Sequence, residues 1–173
     1  MDALSALTVA AEEPFDAPDQ PLPPEFEAAT DSFDDEQVKV IGSLRIGIPL
    51  YNVYLNEADE WSRRLESQLN EWEFELDQPV PAGAEALAHS LAGSSATVGF
   101  LSLSETARAL EHALQRMRGQ PRGTSEQGRA FSAAAQEIRR LLHQFAAGFL
   151  KDADPHVLAG IKSLTFAQDL PSA

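Results

Sequence analysis

Apolar residues recur at intervals of three and four along most of the chain, and only the front end and a few short breaks lack that period. Such spacing gathers side chains on one face of an α-helix. From about residue 48 to 76, Tyr51, Tyr54, Leu55, Ala58, Trp61, Leu65, Leu69, Trp72 and Leu76 make one stripe, with Pro49 suited to the first turn. Glu57, Glu60, Arg63 and Glu71 fall outside it. Pro79 and Pro81 interrupt the pattern, and a second helix is predicted from about Pro81 to Val98, closed by Gly99 at C′. Ser102 and Glu105 match a capping box for a third helix, which runs to about Arg118 with Leu103, Ala107, Leu110, Leu114 and Met117 inward. After the turn GQPRG, Thr124 or Ser125 caps a fourth helix with Phe131, Ala135, Ile138, Leu142, Phe145 and Phe149 inward. Asp154-Pro155 offers an N-cap and first position for a short last helix carrying Leu158, Ile161 and Leu164. Strand-type alternation is essentially absent, and residues 34–47 fit either a short helix or an extended lead-in. The fold expected is all-α, an antiparallel four-helix bundle over 34–166, with a linker at 1–33 and a frayed end at 167–173.

The second helix stands apart from the others. On a wheel of about 100° per residue with Leu87 at the origin, Val98, Leu91, Ala84 and Ser95 fall between roughly 20° and 80°. His89 falls at about 200°, nearly opposite that stripe, with Ala86, Ala92, Gly93 and Ala96 around it. Glu85 is the only charge on this face. An exposed helix face ordinarily carries Glu, Lys or Arg, which form helices well and keep their heads in water. A mid-helix Gly also costs roughly 1 kcal/mol relative to Ala. A face reduced to Ala and Gly leaves room for something to approach the imidazole closely. A lone surface His is most often of no consequence, so the reading rests on these bare flanks. His112, by contrast, lies among Glu105, Arg108, Glu111 and Gln115, an ordinary solvated face, and His143 and His156 lack any patterned context.

Composition narrows the function. With 173 residues the chain has room for one domain with a real core. It has no Cys, which removes disulfides, thiolate zinc sites and thiol nucleophiles. The net charge is −14, yet residues 1–36 hold eleven acids and no base, while the remainder holds sixteen acids and thirteen bases. The acidity therefore belongs to the front, which with Pro14, Pro18, Pro21, Pro23 and Pro24 reads as a disordered acidic linker and hints that the chain was cut from a longer protein. This balance argues against a nucleic-acid surface. No apolar run approaches the ~20 residues that span a bilayer, and no basic segment opens a signal peptide, so no membrane partner is expected and the expected compartment is the cytoplasm. The four His lack mutual i,i+4 spacing, so no metal site is expected in this chain.

The segment AHSLAGSSATVGFLSLSETARALEHAL resembles the signature of histidine-containing phosphotransfer (HPt) domains, roughly H-x-L-K-G-S, a few small residues and Gly, then a helix ending LE..L. Upstream, VIGSLRIGIPLYNVYLNEADEWSRRLE is similar to the segment preceding such domains in large CheA-type hybrid kinases of type IV pilus chemosensory systems. The resemblance implies a bundle in which one exposed His takes and gives phosphoryl groups, and His89 matches that position. Glu85, Ala86, Ser90, Ala92, Gly93 and Ala96 then become supporting and docking positions. Glu85 either fixes the imidazole tautomer or stabilises the helix N-terminus. The family commonly has Lys where this chain has Ala92; Ser90 and Ser94 are the nearby hydroxyl donors. Ala92→Lys is accordingly expected to place an ammonium beside a phosphohistidine with little change in stability, since exposed Lys and Ala differ by only a few tenths of a kcal/mol in a helix.

The chemistry implied is attack by neutral imidazole on phosphorus. The chain has no P-loop, no Gly-rich nucleotide lid and no acidic metal trio, so Mg²⁺ and either a receiver aspartate or ATP are expected from a response-regulator receiver domain or a CheA-type kinase domain. The rivals are a degenerate domain of the same fold that only docks partners, and an unrelated structural bundle.

Overall fold

Pro49 in the first turn and an unbroken stripe of Tyr51, Tyr54, Ala58, Leu65, Leu69 and Trp72 produce the longest helix, α1, Ile48–Glu73. It is followed by α2, Ala82–Thr97, α3, Leu101–Arg116, α4, Ser125–Ala146, and the short α5, Pro155–Lys162. The computed structural model describes residues 37–170; the linker expected at 1–33 and residues 171–173 lie outside them. Met1–Val38 and Lys39–Ala173 are separate units, and the architecture here is that of the second.

Each of the four long helices runs antiparallel to the next, as pairs of contacts at opposite ends demonstrate. Tyr54, early in α1, bonds Ser95, late in α2, at 2.7 Å. Gln68, late in α1, lies against Gly83 at the start of α2. Ser104 Oγ, early in α3, donates to the Ala92 carbonyl at 2.7 Å, while Arg118 just beyond α3 reaches back to Glu85. Arg139 on α4 bonds Asp59 of α1 at 2.6 Å, and Ser132, nearer the start of α4, bonds Asn70. The four long helices close a ring in which α1 packs on α2 and α4, and α3 packs on α2 and α4, with α5 laid across α3 and α4.

The core follows the predicted stripes. Leu103, Ala107, Leu110, Leu114 and Met117 are buried from α3 and its cap, and Phe131, Ala135, Ile138, Leu142 and Phe145 from α4. Phe145 is the hub of an aromatic cluster: it stacks on Phe100 at 4.6 Å between centroids and takes Tyr54 edge-on at 5.7 Å. At the other end Trp72 stacks on Phe131 at 5.7 Å and donates its indole N–H to the Gln78 carbonyl at 2.9 Å. Thr124 caps α4 in a capping box with Gln127, and Asp154 caps α5, as their residue types predict.

Four expectations are corrected. Residues 38–47 are extended rather than helical, and they pair as a β-hairpin, β1 Val38–Ile41 and β2 Leu44–Gly47, within a fold expected to be all-α. Gly42 at φ 58° makes its tight turn, and Ile41 and Ile46 anchor it in the core. Ser102 does not cap α3, which starts at Leu101 after Gly99 at φ 86°; its hydroxyl donates to Asp152 instead. Phe149 lies past the end of α4 and is exposed. Phe166 is buried, and residues Ala167–Asp169 form a 3-10 turn tied to the bundle by an ion pair between Asp169 and Arg116, so this stretch is not frayed.

Candidate functional site

Apart from Glu85 and Thr97, helix α2 is made of Ala, Gly, Ser and Leu around one imidazole, and it contains no Lys or Arg. Its buried face comprises Ala84, Leu87, Ala88, Leu91, Ala92 and Ser95, a wider arc than a wheel weighted on Leu and Val suggests. Alanines at 88 and 92 let α3 approach closely, and Ser104 then reaches the Ala92 carbonyl. Ala92 is thus fully buried and is not part of the bare face expected around His89. Position 92 faces the α2–α3 seam, so a lysine there would have to thread its stem out between packed helices, and the exposed setting from which unchanged stability of Ala92→Lys is expected is not present.

The remaining positions lie where the wheel puts them. His89 is exposed over 69% of its side chain, Ala86, Gly93 and Ala96 are exposed around it, and Ser90 is half-buried at the edge. A Cβ added at Gly93 would meet nothing within 4 Å, so the chain's own packing gives no reason for the missing side chain.

The imidazole is anchored from below. Its Nδ1 lies 2.6 Å from Oε2 of Glu111 on α3, whose side chain is only 8% exposed. A carboxylate can only accept, so Nδ1 carries the proton, and in the neutral imidazole Nε2, across the ring, keeps its lone pair. The buried carboxylate is compensated by this bond and by Arg108, whose Nη1 is 4.0 Å from Oε1. The sequence pattern places Glu111 with the solvated residues around His112, whereas the structure turns it toward α2. The available signal was its spacing: four residues after Ala107 and three before Leu114, it sits at the edge of the α3 stripe that faces α2.

Glu85 is not the partner of His89. Its carboxylate is held by Arg118 in a two-pronged pair, Nε–Oε2 at 2.8 Å and Nη2–Oε1 at 2.5 Å. His89, Glu111, Glu85 and Arg118 line one shallow open depression, with Ala82 and Ala86 on its wall. Among the described residues no group of three or more His, Asp or Glu is placed to hold a metal ion, and no helix is long and apolar enough to cross a membrane.

The chain is an up-and-down helical bundle that holds one imidazole outward against a buried carboxylate. The Hpt domain family matches residues 49–148, over half of the chain and all four long helices, and the chain belongs to that family. Histidine phosphotransfer in phosphorelays is the role of the family, whose members interact with kinases and response regulators. No curated protein matches the chain.

Proposed function

We propose that His89 accepts a phosphoryl group and passes it on within a two-component phosphorelay. The observation that supports this is the pairing of an exposed imidazole with a buried carboxylate, which leaves Nε2 free toward solvent. In the reaction the Nε2 lone pair attacks phosphorus, the new N–P bond forms as the P–O bond of the donor breaks, and the donor aspartate or nucleotide leaves with the electron pair. The Nδ1 proton stays in its bond to Glu111, whose negative charge offsets the positive charge that builds on the ring. Return transfer reverses these steps onto a receiver aspartate.

The exposed small residues Ala86, Gly93 and Ala96 let a receiver or a CheA-type kinase domain close over His89, and Ser90 lies at the rim as a hydroxyl donor. Mg²⁺ is then contributed by that partner. The similarity of the upstream segment to chemosensory hybrid kinases supports a place in such a kinase, in the cytoplasm.

Incubation of the protein with a panel of phosphorylated receivers and kinase domains tests the proposal. Phosphate that is acid-labile and alkali-stable, and that is lost in His89→Gln, is the expected result. Labelling that survives His89→Gln moves the site elsewhere. A chain that binds receivers but takes phosphate from no donor is a docking module instead.

A further inference from the structure

The environment of His89 is electrostatically awkward for a phosphoryl group. Glu111 lies beneath the ring and Glu85 one helical turn before it, while α2 offers no cation of its own. A phosphoryl group brings nearly two further negative charges, about −1.5 to −2 for a phosphate ester near neutral pH. Among the described residues lining the depression, Arg118 carries the one positive charge.

Arg118 is placed to change partners. It lies one residue past Met117, the C-cap of α3, where its N–H bonds the Gln115 carbonyl at 3.2 Å and Gly119 at φ 79° turns the chain away. The root of the side chain is therefore fixed beside the N-terminal half of α2, whereas its arm is 71% exposed. The guanidinium end of the pair lies in water while Glu85 is 20% exposed, so leaving Glu85 costs less than breaking a buried pair, and a phosphoryl group that offers the same two-pronged geometry and more charge offsets that cost. A planar guanidinium engages phosphoryl oxygens through two parallel bonds, as it now engages the carboxylate.

We infer that Arg118 is a phosphoryl-binding residue, parked on Glu85 in the free protein and transferred to the phosphoryl group when His89 is modified. The inference rests on phosphorylation of His89. Glu85 acts as the competitor: it keeps the guanidinium at the rim before transfer and draws it back afterwards, which favours release of the group to a partner.

The test needs no protein partner. The full chain is phosphorylated with phosphoramidate, the donor is removed, and the decay of the phosphohistidine signal is followed by phosphorus NMR, with melting temperature measured in parallel. Arg118→Ala is expected to shorten the phosphohistidine lifetime by about fivefold, the scale of one screened charge pair. Arg118→Lys retains most of the lifetime, and Glu85→Gln lengthens it, with melting temperatures close to the parent. Opposite signs at the two positions are the diagnostic result. If the pair served only to tie α2 to α3, both substitutions would loosen the same contact and would shift lifetime and melting temperature in the same direction, which overturns the inference. A change in Arg108→Ala with none in Arg118→Ala also overturns it. A parent chain that gains no signal, or a signal that persists in His89→Gln, overturns the reading of His89 itself; a labelled His89 with same-direction variants overturns only the role of Arg118.

Discussion

Nδ1 of His89 and Oε2 of Glu111 are 2.6 Å apart, yet the imidazole is 69% exposed and the glutamate side chain 8%. An imidazole that faces solvent is thus oriented by a carboxyl group that does not. An exposed imidazole without that partner samples other rotamers and the other tautomer, and its reactive nitrogen is correctly presented only part of the time.

Glu111→Ala is therefore expected to slow phosphoryl uptake by roughly ten- to a hundredfold, since a bond to a charged acceptor contributes about 1.5–3 kcal/mol. Glu111→Gln is expected to lose less, because its amide oxygen still accepts from Nδ1–H but carries no charge. Initial rates of acid-labile labelling check both, with helical circular dichroism as the control. Equal rates in all three proteins would mean that the pair has no part in the chemistry.

Ala92→Lys is expected to lower stability by about 1–3 kcal/mol, as overpacking of a filled core does. Ala92 is fully buried and its carbonyl holds Ser104, so the stem has no room on the α3 side. Denaturant midpoints for Ala92→Lys and Ala96→Lys make the comparison. The second substitution falls on the exposed face and should leave the midpoint nearly unchanged. An Ala92→Lys variant as stable as the parent would show that the new side chain escapes to solvent.

The four long helices were legible because Leu, Phe, Tyr and Trp repeat at helical spacing, and residues such as Leu65, Leu110 and Ile138 have no other place to go than the core. The location of His89 was legible for the same reason, since Leu87 and Leu91 fix the opposite face. What failed were residues whose type carries little signal. Ala88 and Ala92 are as buried as Leu91, but alanine suits core and surface equally, so the wheel came out too narrow. Glu111 and Arg118 gain their partners from α2, across the α2–α3 seam, and a reading of α3 alone cannot supply them. The hairpin at 38–47 has strands of four residues, too short to show a period of two, and it buries only Ile41 and Ile46 in the core, with Leu44 packed partly against it.

Leu91→Ala is expected to cost about 2–5 kcal/mol, the range for truncating a filled core position. Leu91 is fully buried on the middle turn of α2, two residues from His89 and on the opposite face. Its loss should lower the urea midpoint without changing the slope. A cost well under this range would mean that α2 settles into the cavity, and the distance from His89 to Glu111 would then change with it.

Acid sensitivity should concentrate at Glu137, a second buried carboxylate. Both of its oxygens are taken by Arg140, at 2.6 Å each, and Oε2 also accepts the Asp154 N–H at 2.6 Å, which pins the loop between α4 and α5. The Arg140 guanidinium holds this carboxyl below its usual 4.5, against the opposing effect of burial. A carboxyl whose folded-state value is depressed contributes stability that is present in full above its unfolded value and is lost as pH falls through the folded one. The parent protein should therefore lose melting temperature progressively as pH drops below about 5. Glu137→Gln removes the charge at every pH and turns an amide donor toward Arg140 or the Asp154 N–H. It should be less stable than the parent at pH 7 by about 1–3 kcal/mol, the cost of leaving such buried groups unpaired. Its melting temperature should then fall less steeply in acid, so that the two curves converge at low pH. Parallel curves from pH 7 to pH 3 would mean that Glu137 keeps its proton affinity on folding, and that the α4–α5 loop is held by packing of Ile161 and Leu164 alone.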